Sequence, residues 1–117
     1  MAEARTAPSE LAKKQCVPCS GETPRLRGKQ LDNFKHQLGN DWRMVDGHHL
    51  EKEYQFKDFA GALAFTNRVG AIAEAEGHHP EICLTWGQVR LKIWTHAIDG
   101  LSENDFILAA KADEAPK

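Results

Sequence analysis

Hydrophobic residues recur at regular intervals from Gly28 onward, and the interval changes from one segment to the next. In residues 28–39 and again in residues 58–76, the apolar positions lie three or four apart, which predicts two amphipathic helices. Asp58 is the expected N-cap of the second helix, and Gly77 is its expected C-terminal stop. The stripe that this helix should bury consists of Phe59, Ala62, Leu63, Val69, Ile72 and Ala73.

Apolar and polar residues alternate in the segments that follow each of these helices. Residues 42–45 and 50–56 flank Asp46-Gly47, and an Asp-Gly pair between two alternating segments favours a β-hairpin. Residues 82–86 and 89–95 predict a second hairpin, closed near Gly87. The outward face of its last strand would carry Arg90, Lys92, Trp94 and His96.

A third helix is predicted near the C-terminus. Ser102 and Asp105 have the spacing of a capping box, Leu101 and Phe106 are placed as its hydrophobic staple, and the helix should run to about Lys111. The order of elements is then α-β-β-α-β-β-α. It predicts an α+β fold with a single antiparallel four-stranded sheet and helices packed on one face.

Residues 1–27 differ from this pattern, because they contain three prolines and few large apolar side chains. They predict an N-terminal arm that is partly disordered, and residues 28–117 form the predicted domain. The arm contains a Cys-x-x-Cys, Cys16 and Cys19, which has two interpretations: reduced thiols without a role, or a metal or redox use. Zinc usually takes four ligands, and the chain has no second pair of this kind.

Composition narrows the class of protein. The chain has 117 residues, enough for one domain, and its net charge of −2 argues against a protein that coats nucleic acid. No apolar run has the length of a membrane span, and the first residues lack the apolar core of a signal peptide. An odd number of cysteines, three, cannot form a complete set of disulfides. We therefore expect a cytoplasmic protein that binds neither nucleic acid nor membrane directly.

The six histidines are the main candidates for chemistry. His36 should lie on the helix surface, and His48-His49 should be solvated beside the first hairpin turn. Pro80 holds the preceding residue in extended backbone, at the start of the second hairpin. Since a hairpin places the start of its first strand beside the end of its second, three histidines can converge there: His78, His79 and His96. Glu74 lies one helical turn before His78 and can meet it.

The residue types in this cluster do not decide among three interpretations. These are acid–base catalysis near neutral pH, a zinc site, or an incidental group of surface histidines. Trp86 and Trp94 are either cover for the sheet or a stacking platform for a flat ligand. Asp105 is first a capping residue, and it could in addition orient an imidazole.

The spacing of these residues resembles that of the pterin-4a-carbinolamine dehydratases. The similar segments are EAEGHHP at residues 74–80, followed by Trp86, KIWTH at 92–96 with Asp105 beyond it, and YQFKDFAGALAF at 54–65. The resemblance covers roughly residues 28–112 and implies the same α+β fold. It also implies dehydration of a 4a-hydroxytetrahydropterin without metal or organic cofactor, in support of aromatic amino acid hydroxylases.

The resemblance assigns catalytic roles to five residues: His78, His79, His96, Glu74 and Asp105. We expect substrate contacts from six residues: His78, His79, Pro80, Thr95, His96 and Trp86. We expect His78 to donate a proton with help from Glu74, and His96 to act as the base. A homodimer or homotetramer is expected too, since the sheet has two edges and Phe65, Ala71 and Ala75 fall outside the apolar stripe. The rival interpretations are a protein-interaction module, as a dimerisation cofactor or assembly chaperone, and a histidine-rich metal carrier.

Overall fold

The computed structural model describes residues 8–18, 20–39 and 41–116, with side chains from Glu10 onward. Helices α1 and α2 precede a first strand pair, β1 and β2, and α3 precedes a second pair, β3 and β4, with α4 at the end. Their bounds are α1 Pro8–Ala12, α2 Lys29–Leu38, β1 Arg43–Val45, β2 His49–Gln55, α3 Phe59–Glu76, β3 Glu81–Thr85, β4 Gln88–Ile93 and α4 Glu103–Glu114, with a 3-10 turn at His96–Ile98. From α2 onward this is the predicted order.

The four strands form one antiparallel sheet in the order β1-β2-β4-β3. In the central pair Leu50 lies opposite Ile93 and Tyr54 opposite Val89, and these four side chains are buried. The intervening residues, among them Glu53 opposite Arg90, occupy the other face and remain partly exposed. The alternation seen in the sequence therefore gives one apolar and one polar face, as predicted.

The helices cover the apolar face of the sheet. Helices α3 and α4 contact the strands, and α1 and α2 pack against α4. Phe106 of α4 stacks on Phe34 of α2 with ring centroids 5.4 Å apart, and it is fully buried. Because α4 lies between the sheet and the first two helices, residues on every side of it are buried. This central position lets α4 present side chains to the end of the sheet where the histidines converge.

The stripe predicted for α3 was partly wrong. Phe65, which we had placed outside it, is fully buried and packs against Tyr54 and Phe56, with ring centroids 4.6 and 5.3 Å away. Phe59 and Leu63 are 44% and 40% exposed instead. The buried positions run Ala62, Phe65, Val69 and Ala73. A helix with apolar residues on most of its surface does not show by spacing alone which stripe faces the sheet.

Strand β4 ends two residues earlier than predicted. Thr95 forms an isolated bridge with Gly100, which turns the chain out of the sheet, and His96 begins the 3-10 turn instead of ending a strand. Asp99 closes this turn with a left-handed backbone, at φ 49°. His96 is thereby carried past the end of the sheet, toward the residues that follow α3.

The segment before α2 also packs against the domain. Leu11 of α1 is fully buried, and the Asn104 side chain of α4 accepts from the Val17 amide and donates to the Val17 carbonyl. Residues 1–7 and Cys19 lie outside the described residues, so the boundary at residue 27 and the partial disorder of the arm stay predictions. Within the described ranges, none of the helices combines the length and hydrophobicity needed to cross a membrane.

Candidate active site

The cleft at one end of the sheet lies between two short connections. Residues 77–79 follow α3, and residues 94–97 follow β4; together they line an open cleft of about 210 Å³. Gly77 adopts a left-handed backbone, with φ 66°, and ends α3 through hydrogen bonds to its last turn. His78, His79 and His96 therefore converge, as the hairpin geometry predicted.

His78 is paired with a buried carboxylate. Its Nε2 lies 2.6 Å from Oδ1 of Asp105, and the two residues are 7% and 0% exposed. The other oxygen of Asp105 accepts from the Thr95 hydroxyl and the Ser102 amide, both at 2.8 Å. Three donors thus replace the water that the buried carboxylate has lost.

Asp105 therefore both caps α4 and orients an imidazole, the two roles that the sequence left open for it. The capping box with Ser102 is present, as the Ser-x-x-Asp spacing predicted. The same carboxylate fixes His78 so that Nε2 faces Asp105 and Nδ1 is left for a ligand.

Glu74 contacts a different histidine from the one predicted. Its Oε1 lies 2.9 Å from Nε2 of His79, not of His78, and both side chains are largely exposed. The reason is that Gly77 ends the helix before His78, so the four-residue helical spacing from Glu74 no longer applies. His78 turns inward to Asp105, and His79 turns outward to Glu74.

His96 has an aromatic partner. Its ring stacks on the Trp94 indole with centroids 4.5 Å apart and planes at 17°. His48 and His49 contact the same indole, at 5.4 and 5.9 Å between centroids. The sequence placed Trp94 and His96 on one face of a strand, but β4 ends at Ile93, so the stack forms where the chain leaves the sheet and was not predicted.

We expected His48 and His49 to be solvated, but both side chains are largely buried. Only 33% and 17% of their side chains are exposed, and His48 Nε2 lies 2.7 Å from Asp99 Oδ1. This hydrogen bond holds the pKa of the Asp99 carboxyl below its usual range. The antiparallel register of β2 and β4 brings the first hairpin turn beside residues 94–99, a pairing of distant segments that no local pattern indicates.

Of two further residues predicted to contact the substrate, Pro80 lies next to the cleft and Trp86 lies away from it. Pro80 follows His79 directly and is partly buried at the start of β3, next to the cleft. Trp86 lies in the turn between β3 and β4, is 67% exposed and does not line the cleft. It is at the far end of the hairpin because the cleft lies where β3 begins and β4 ends.

The donor set is suited to proton transfer. Among the described residues, no three His, Cys, Asp or Glu side chains are arranged to hold a metal ion. Two imidazoles hydrogen-bonded to carboxylates and a third stacked on an indole offer both a proton donor and a proton acceptor in one cleft. The arrangement can therefore protonate one atom of a small ligand while it deprotonates another.

Comparison with known proteins identifies the family. A sequence profile of the family described as pterin 4 alpha carbinolamine dehydratase matches residues 24–115. The chain belongs to the pterin-4a-carbinolamine dehydratase family. Two relatives carry pterin-4-alpha-carbinolamine dehydratase in their names. The protein of Alkaliphilus metalliredigens is 48% identical, over 91% of this chain and 96% of the relative's own length. The other, of Rubrobacter xylanophilus, is 50% identical and covers 90% and 97%.

A solved structure of this dehydratase family has the same fold. The crystal structure of a transcriptional coactivator/pterin dehydratase from Brucella melitensis superposes with a TM-score of 0.71 at 30% identity. It covers 77% of this chain and 96% of the other. The family and the fold implied by the spacing of the histidines are thus confirmed.

Proposed function

We propose that this chain dehydrates 4a-hydroxytetrahydropterin to the quinonoid dihydropterin, without metal or organic cofactor. The observation that carries the proposal is the convergence of three imidazoles in one cleft, one of them paired with a buried aspartate. The names of the relatives give the same substrate class. Loss of water requires a proton on the leaving oxygen and removal of the N5 proton. The C4a–O bond breaks, and its electrons leave with water as the C4a–N5 double bond forms.

His78 is the proton donor in this proposal. Its Nδ1 faces away from Asp105, and the carboxylate stabilises the charge of the imidazolium before the proton is given up. Asp105 takes the supporting role that we had expected of Glu74. The proton goes to the C4a hydroxyl, which then leaves as water.

His96 is the base that takes the N5 proton. Among the described residues, no hydrogen bond engages its ring nitrogens, and one of them is therefore available as an acceptor. His79, held by Glu74, and the backbone beside Pro80 would contact the polar edge of the flat ring. Thr95 acts less directly, because its hydroxyl is engaged with Asp105 and Ser102.

The cellular setting is part of the same proposal. The reaction would return the cofactor of aromatic amino acid hydroxylases to its cycle, in the cytoplasm, with the chain as a homodimer or homotetramer. Cys16 and Cys83 are free thiols, which is consistent with a reducing compartment.

A protein-interaction role is the second candidate. The Brucella melitensis relative is described as a coactivator as well as a dehydratase. In this chain Phe59 and Leu63 are exposed on α3, and an apolar groove of about 510 Å³ lies between α3 and the end of α4. Phe59→Ser with Leu63→Ser would abolish binding to a partner but leave the cleft intact, so it separates the two roles.

A stopped-flow measurement of 4a-hydroxytetrahydropterin decay tests the dehydratase proposal. Added protein should accelerate the decay in proportion to its concentration, and prior treatment with a metal chelator should leave the rate unchanged. Decay at the uncatalysed rate would reject the enzyme proposal and leave the interaction role.

A further inference from the structure

The three histidines of the cleft are held in different ways. Asp105 holds His78 and Glu74 holds His79, through hydrogen bonds of 2.6 and 2.9 Å. His96 is exposed, and among the described residues nothing hydrogen-bonds to its ring. An exposed imidazole on a short turn would rotate among several rotamers, so something else must restrict it if it is to act in one direction.

The Trp94 indole is the group that restricts His96. The two rings are nearly parallel and 4.5 Å apart, so rotation of the imidazole about its side-chain bonds would break the stack. The indole is itself confined, because His48 and His49 contact it and His48 is tied to Asp99 at the end of the same turn. Trp94 cannot simply follow His96 if the imidazole moves.

We propose that Trp94 is a positioning residue for His96: it sets the direction of the imidazole by stacking, as Asp105 does for His78 by hydrogen bonding. The inference rests on the proposed function, since the direction matters only if His96 accepts a proton. A misdirected base lowers the rate of proton transfer without weakening the contacts that hold the ligand. The expected signature is therefore a loss in kcat with KM little changed.

The first test reads the stack without any activity. A ring over an indole experiences its ring current, so the His96 ring protons should resonate upfield of those of the exposed His36 in the NMR spectrum. Trp94→Leu should move the His96 protons to the position of His36, and Trp94→Phe should keep most of the upfield shift. Resonances of His96 that are the same in wild type and Trp94→Leu would overturn the inference.

The second test uses kinetics in a double-mutant cycle. Trp94→Leu should lower kcat by about 10-fold to 100-fold, and Trp94→Phe should restore most of it. In the His96→Ala background the same substitution should have no further effect, because its only path to the reaction is gone. An equal loss in both backgrounds, or a rise in KM with kcat unchanged, would reject positioning in favour of direct stacking on the substrate.

A stability control separates positioning from general loosening of the fold. Val69→Ala creates a cavity at a fully buried site of α3, about 10 Å from the end of the helix near the cleft. It should lower Tm and keep kcat at the assay temperature. Failure of the proposed function itself is distinguishable, because it would show as an inactive wild-type protein with the His96 stack still visible by NMR.

Discussion

At the scale of single residues, neighbours give three chemically identical side chains different properties. His78 has a buried carboxylate, His79 an exposed one, and His96 an indole. Burial strengthens electrostatic contacts, and exposure to water weakens them. The hydrogen bond with Asp105 is therefore the strongest of these contacts, and His78 is the histidine whose ring is held most firmly.

Removal of either proposed proton-transfer group should cost about 100-fold or more in kcat, within the range of general acid–base catalysis. His96→Ala tests the base. For the acid, His78→Gln is preferable to His78→Ala, because it can still donate to the buried Asp105. The measurement is steady-state kinetics, with the exposed His36→Ala as the control that retains full activity. Wild-type rates in His78→Gln would contradict its assignment.

The pH profile should be bell-shaped, because the mechanism requires His78 charged and His96 neutral at the same time. As pH falls, protonation removes the base, and as pH rises, deprotonation removes the acid. The measurement is kcat/KM across the range in which histidines titrate. A profile that is flat between about pH 5.5 and 8.5 would exclude a histidine pair.

Cys16 should be a poor nucleophile. Burial, with Glu76 as the second cause, raises the pKa of its thiol to about 12, so the thiolate is scarce at neutral pH. Alkylation by iodoacetamide at pH 8 should be about 100-fold slower than that of a free cysteine. Glu76→Gln should accelerate labelling of Cys16, with Cys83 as the internal control, and peptide mapping assigns the sites.

Rapid labelling of Cys16 in the folded protein would contradict this account of its surroundings. The result bears on the Cys-x-x-Cys, because both metal binding and disulfide exchange need the thiolate. A thiol held in its protonated form favours the interpretation of reduced cysteines without a chemical role.

At the scale of elements, helix α4 connects the cleft to the sheet. It carries a buried or nearly buried aspartate in each end turn, Asp105 and Asp113, about 12 Å apart. Asp105 serves the cleft. Asp113 accepts hydrogen bonds from the Trp42 indole at 2.9 Å, from Lys52 at 2.8 Å and from the Tyr54 hydroxyl, and so fastens the helix to β2.

Substitution of either aspartate should lower stability, but only substitution of Asp105 should lower kcat. Asp113→Ala removes the acceptor that Trp42, Lys52 and Tyr54 share and should lower the free energy of unfolding by about 3 kcal/mol, with kcat unchanged. Asp105→Asn should lower kcat strongly, because the amide no longer supports a charged His78, and should lower Tm as well through the weakened cap. Thermal melting and kinetics on both variants check this. Full activity in Asp105→Asn would reduce its role to capping.

At the scale of the whole molecule, the single chain leaves surfaces that invite association. Strands β1 and β3 are the edges of the sheet, and an unpaired edge favours pairing with a second copy. On α3 the large exposed apolar residues are Phe59 and Leu63, and Ala71 and Ala75 line the groove beside α4. Phe65, which the sequence pattern placed on this surface, is buried and does not contribute.

Sedimentation at micromolar concentration should therefore give about 26 kDa for a dimer or about 52 kDa for a tetramer, two and four times the chain mass of 13.1 kDa. Symmetric pairing would cover both the edges and the apolar surface. Phe59→Ser with Leu63→Ser should weaken any assembly that uses α3. A single 13 kDa species over the whole concentration range would reject the prediction.

Local sequence determined the elements of this protein, because caps and periodicity act over a few residues. Asp58 and Gly77 delimit α3 where they were expected, and Ser102 with Asp105 begins α4. The same local signals, together with hairpin geometry, brought His78, His79 and His96 to one end of the sheet. The resemblance of their spacing to that of the dehydratases then indicated the family.

Only the tertiary structure decided the partners of these residues. Asp105 reaches His78 across 27 positions of chain, and His48 reaches Asp99 across 51. Such contacts depend on how helices and strands dock, which local periodicity does not encode. The sequence misplaced Phe65 because α3 has apolar residues on several sides, and any of these sides could face the sheet. It paired Glu74 with His78 because a histidine just past a helix end can turn either inward or outward.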